Sequence, residues 1–107
     1  MYKVLLTQNF KKEAKSLIKK YASIREELAK LGENLAENPT SGTPLGKDCY
    51  KVRLAIKSKN KGKSGGARVI TYVISSEKEV VLLTIYDKNI KADLRPSELD
   101  YLLKNIE

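Results

Sequence analysis

Two apolar runs, "ARVITYVIS" at residues 67–75 and "EVVLLTIY" at 79–86, stand only three polar residues apart. Both are almost continuously aliphatic or β-branched, so neither has a face to give to water. They predict a hairpin of central strands turning through Ser76-Glu77-Lys78, and such a hairpin must be covered on both faces. A chain of 107 residues has to supply that cover from a single domain spanning 1–107.

The rest of the chain is patterned to do so. "YKVLLT" at 2–7 reads as a short strand, after which the period changes. Phe10, Ala14, Leu17, Ile18 and Tyr21 recur along one helical face, with Asn9 as the expected N-cap. A second helix opens at Ser23 with the capping-box pattern Ser-Ile-Arg-Glu, and Ile24, Leu28, Leu31 and Leu35 form its stripe. The short link between the two predicts a helical hairpin. "ENPTSGTPLGKD" at 37–48, with two prolines and two glycines, is expected to hold no regular structure. Residues 49–57 alternate strictly: Tyr50, Val52, Leu54 and Ile56 point one way, Lys51, Arg53, Ala55 and Lys57 the other. The chain ends in a helix, with Pro96 at its first position and Leu99, Leu102, Leu103 and Ile106 as the stripe. The order is β-α-α-β-β-β-α, an α+β domain built on an antiparallel sheet.

Charge is what this frame does not explain. The net charge is +8, and residues 47–68 hold eight basic residues against the single acid Asp48. Nearly the whole excess therefore sits in one segment, the footprint of a site for nucleic acid or another polyanion. A solvated basic surface is the bland alternative. "GKS" at 62–64 does not make a phosphate-binding P-loop, because the upstream glycine position is Lys57 and a strand follows. Asn38-Pro39-Thr40 is blocked as a glycosylation site. With no histidine and only Cys49, nucleophilic triads and zinc sites are excluded, no disulfide can form within the chain, and no metal or cofactor is expected. No signal peptide or spanning segment is apparent, so the cytoplasm is the expected compartment.

Chemistry must then come from Lys, Arg, Tyr and carboxylates. RNA fits that restriction, since its 2′-hydroxyl is its own nucleophile. Such an enzyme has only to move protons and hold the crowded phosphate. Arginine offers a planar, permanently charged fork for the phosphate, and crowded lysines lower one another's pKa. Lys51 and Arg53 share a face, Arg68 heads the next strand, and Tyr86 and Lys88 close the last one. An antiparallel arrangement brings these five to one edge of the sheet as candidate catalytic residues. Lys57, Lys59, Lys61, Lys63 and Lys91 form the set expected to hold RNA instead of performing chemistry. Each has a plain reading too: Arg68 as a strand-end arginine, Lys51 and Arg53 as a solvent face, Tyr86 as core or as a stacking platform. Tyr50, Tyr72 and Cys49 are expected in the core.

In this order and spacing, "DCYKVRLAI" at 48–56, "GGARVITYVI" at 65–74 and "LLTIYDKNIKADL" at 82–94 carry a resemblance. The chain resembles the RelE/ParE toxin superfamily, and within it the RelE/HigB-type toxins of bacterial type II toxin–antitoxin systems. The resemblance implies a small microbial-ribonuclease-like fold, cleavage of mRNA in the ribosomal A site with ribosomal RNA as a further contact of the lysine set, and a cognate antitoxin as partner to a toxin that is monomeric when free. The antitoxin is expected to present an acidic, partly amphipathic segment that covers the cleft or displaces the C-terminal helix. By position, Lys51 and Arg53 match the paired basic residues of the second predicted strand, one of them a candidate general base, and Arg68 matches the arginine that supports the scissile phosphate. Lys88 stands where a second arginine often occurs, and the usual loop tyrosine aligns near Leu94, leaving Tyr86 as its candidate substitute. Two alternatives stay open: a ParE-like inhibitor of DNA gyrase, and a non-catalytic RNA- or ribosome-binding domain.

Overall fold

The computed structural model describes residues 1–57, 65–91 and 93–106. The elements are β1 (Lys3–Leu6), α1 (Gln8–Lys20), α2 (Ile24–Glu37), β2 (Thr43–Gly46), β3 (Cys49–Leu54), β4 (Ala67–Ile74), β5 (Glu79–Asp87) and α3 (Pro96–Lys104). They build one five-stranded sheet in the order β1-β5-β4-β3-β2, antiparallel except where β1 runs parallel to β5. The long apolar hairpin β4–β5 is central, as its two-sided pattern requires. One face carries α1 and α2 over a core that includes Phe10, Ile24, Leu35, Ile56 and Val69. The other carries α3 over a smaller core of Cys49, Ile70, Val81, Leu83, Tyr86 and Leu99. Among the described residues no helix is long and apolar enough to cross a membrane.

Five local expectations are corrected. The segment 37–48 contains the edge strand β2, where Pro44 is tolerated because an edge position need not donate to a ladder. Lys47 and Asp48, both at positive φ (54° and 62°), turn β2 into β3 with the twist a two-residue hairpin favours. At Gly42, φ is +102° and a Cβ would lie 2.5 Å from the Lys51 carbonyl oxygen, so only glycine lets the chain pass there.

The N-cap of α1 is Thr7, not Asn9. Its hydroxyl accepts from the Phe10 N–H (3.1 Å) and donates to the Leu82 carbonyl (3.1 Å), locking the helix start to β5. The box at Ser23 does not form, because Ser23 is already helical. The Ile24 and Arg25 N–H groups are met by the Tyr21 and Ala22 carbonyls at 3.1 and 3.3 Å. Finally, β3 stops at Leu54. Ile56 still buries under the helices, but Lys57 does not share the face of Lys51 and Arg53. It pairs with the nearly buried Glu27 of α2 at 3.3 Å. Tyr50 and Tyr72 are half-buried rather than fully in the core.

Candidate nucleic-acid interface

A β-bulge sets the geometry of the site. Ile74 faces Glu79 and Thr71 faces Leu82, but Ile70 faces Thr84, so β5 carries one extra residue, Leu83. Without it Arg68 would face Ile85. With it Arg68 faces Tyr86, and on its other side Arg68 faces Arg53. The result is a row Arg53–Arg68–Tyr86 running across three strands on the α3 face. Lys51 lies two residues along, opposite Ile70. β1 pairs with β5 only as far as Leu82, and beyond it the Asn9 amide donates to the Leu83 carbonyl at 3.0 Å, tying down the bulge.

Arg68 is 3% exposed, and its Nη1 donates to the Ala67 carbonyl at 3.1 Å. Burial and the neighbouring Arg53 cation push its pKa down, opposed by Tyr86 and Asp93. Like charges directly opposite on adjacent strands destabilise a sheet. This pair is one that an anion would relieve. Tyr86 is 8% exposed, and its hydroxyl is buried without a hydrogen-bond partner among the described residues. Burial, and then the Asp93 charge, raise its pKa.

Asp93 was not singled out by sequence. It reaches back from the segment before α3 to Lys51 at 3.2 Å, and that hydrogen bond holds its carboxyl below the usual aspartate range. The sequence signal was available: Asp93 is the acid that follows Tyr86, Lys88 and Lys91 at the mouth of a helix. Lys91 sits over the Tyr86 ring at 5.3 Å and pairs with Glu98, so its place is beside the row. Lys88 is exposed; its N–H donates to the Gly66 carbonyl at 3.0 Å, tying the ends of β4 and β5 together at the site. Leu94 packs against the smaller core. Lys57 is turned to the opposite face, and Lys59, Lys61 and Lys63 lie outside the described residues.

Cys49, 1% exposed, belongs to the smaller core, and burial pushes its thiol up to about 11. It should resist thiol reagents at pH 8 in the native chain and react once the chain is unfolded. Rapid labelling without denaturant would contradict that packing.

The family model for the RelE toxin of the RelE/RelB toxin–antitoxin system matches residues 2–106, the chain almost from end to end. The chain belongs to the RelE toxin family. Among solved structures it is similar to a mutant of the E. coli toxin RelE in the free state, at 22% identity and a TM-score of 0.68, covering 99% of this chain and 98% of that one. It is also similar to the intact E. coli RelBE toxin–antitoxin complex, at 24% identity and a TM-score of 0.64, covering 81% of this chain and 96% of that one. A third likeness is to mutant E. coli RelE bound to an antitoxin RelBc peptide, at 22% identity and a TM-score of 0.62, covering 88% and 96%. At these identities the solved structures speak for the RelE fold, and the family model for the toxin family.

Proposed function

We propose that this RelE-family toxin is an endoribonuclease that cleaves mRNA on the ribosome and so stops translation. The observation that carries the reading is the row itself: a buried arginine held directly opposite a second arginine and a tyrosine, with a lysine beside them. In the proposed step the 2′-oxygen of RNA attacks the adjacent phosphorus, the bond to the 5′-oxygen breaks, and a 2′,3′-cyclic phosphate and a 5′-hydroxyl result. One proton leaves the 2′-hydroxyl and one joins the 5′-oxygen. Arg68 and Arg53 stay charged throughout and hold the non-bridging oxygens, where negative charge builds up. Tyr86 in the row and Lys51 beside it are the groups able to exchange a proton. Lys88 and Lys91 bind the flanking backbone.

Family membership and the complexes of the E. coli relative support a second component, an antitoxin. A groove of about 580 Å³ between α1, α2 and β1 suits it. Its floor includes Leu6, Phe10, Ala14 and Leu28, and Lys11, Lys15, Lys19 and Arg25 stand around it. Apolar floor and cationic rim fit an acidic amphipathic segment of that antitoxin.

One experiment tests both statements. The chain is induced in cells with and without the product of the neighbouring gene, while mRNA 5′ ends and DNA supercoiling are followed. Cuts in translated messages, absent when the neighbour co-purifies with the chain, are the expected result. Growth arrest with intact mRNA and altered supercoiling would move the chain to the gyrase reading. Absence of toxicity would leave an RNA-binding domain.

A further inference from the structure

Arg68 cannot touch a phosphate in the arrangement described, since it is 3% exposed. A phosphate that reaches it must displace something, and one anion already held at this site is the Asp93 carboxylate. Asp93 bonds Lys51 at 3.2 Å, and its charge is felt at both Arg68 and Tyr86. One anion thus bonds the lysine beside the row and acts by its charge on two of the row's members, the part a scissile phosphate would play there. We propose that Asp93 is a built-in competitor for the RNA phosphate: its carboxylate neutralises the row in the resting chain, and substrate enters by displacing it. This rests on the row being an anion site, which the nuclease reading also requires.

The hold is light enough for exchange. Asp93 is 70% exposed at its side chain, and ion pairs so open to water are weak. The helix it leads into is attached in the same manner. α3 is held by the half-buried pair Lys91–Glu98 and the exposed pair Lys47–Asp100; Leu99 is its one fully buried residue, with Leu102 and Leu103 half-buried beside it. Segments with few buried contacts are those that open at little cost. An RNA phosphate can engage Arg53 and Arg68 through paired N–H donors, a geometry that a carboxylate anchored on Lys51 does not reproduce.

Binding, not cleavage, is the cleaner readout. A 2′-O-methyl RNA oligonucleotide lacks the nucleophile, so any proton-transfer role of Asp93 leaves its affinity untouched. Fluorescence anisotropy at fixed low salt should show Asp93→Asn binding about 3- to 10-fold tighter than the parent chain. Asp100→Asn removes the same charge from α3 away from the row and should give a clearly smaller gain. Equal or weaker binding by Asp93→Asn, an equal gain in Asp100→Asn, or no binding by any of the three chains would overturn the proposal. If Asp93→Asn tightens binding but the parent never cuts RNA, the competitor stands and the nuclease reading falls. If messages are cut but the substitution brings no gain, the reverse holds.

Discussion

Arg68→Ala is expected to lower RNA cleavage by about 10²–10³-fold, the scale on which removing one preorganised donor to a developing oxyanion is felt. The expectation follows from where the guanidinium is kept. A surface arginine can be replaced by a neighbour that swings in, but Arg68 is buried, bonded to its own strand, and flanked by Arg53 and Tyr86 at fixed register. Arg68→Lys keeps the charge and loses the fork, so it should recover only part of the rate. Thermal melts should show both variants folded, because the substitution to alanine also removes a buried cation facing a like charge. Cleavage by a folded Arg68→Ala chain within about tenfold of the parent would place the chemistry elsewhere.

How far the sequence could be read depends on the range over which each feature is decided. The β4–β5 hairpin, the stripes of α1 and α2 and the Pro96 start of α3 are decided within a few residues, and their periods show them. Arg68 and Tyr86 could be brought to one sheet edge on the same grounds. Their direct opposition could not, because it depends on the bulge at Leu83, and nothing in "VVLLTI" marks one of two leucines as extra. What holds the bulge is Asn9, more than seventy residues away, whose amide is spent on a strand carbonyl instead of a helix cap. β2 escaped for a similar reason: Gly42 and Pro44 argue against a strand locally, and only the pairing with β3 makes an edge of them. Lys57 followed the alternation until Glu27, on another element, drew it to the far face. Asp93 lies outside every periodic stretch, and only the return of the chain toward β3 brings its carboxylate to Lys51.

The sheet should also separate stability from chemistry. Leu35 on α2 is fully buried in the larger core, on the face opposite the arginine row. Leu35→Ala leaves a cavity there at a cost of about 2–5 kcal/mol. Domains of this size hold only about 5–15 kcal/mol in all. At roughly 4–8 °C per kcal/mol, the melting temperature should fall by more than about 8 °C. The neighbouring Ala36 carbonyl accepts the Tyr2 N–H at 2.8 Å, so loosening α2 also loosens the start of β1, and relaxation there does not refill the cavity. Yet the row hangs on β3, β4 and β5 from the other side, held by the ladders and by the Asn9 bond. Cleavage per folded molecule, measured well below the melting point, should therefore match the parent. A melting shift under about 4 °C would mean that α2 carries less of the core than its burial implies. A full stability loss with cleavage reduced in step, at a temperature where the chain is still folded, would show that the two faces are coupled through the strands after all.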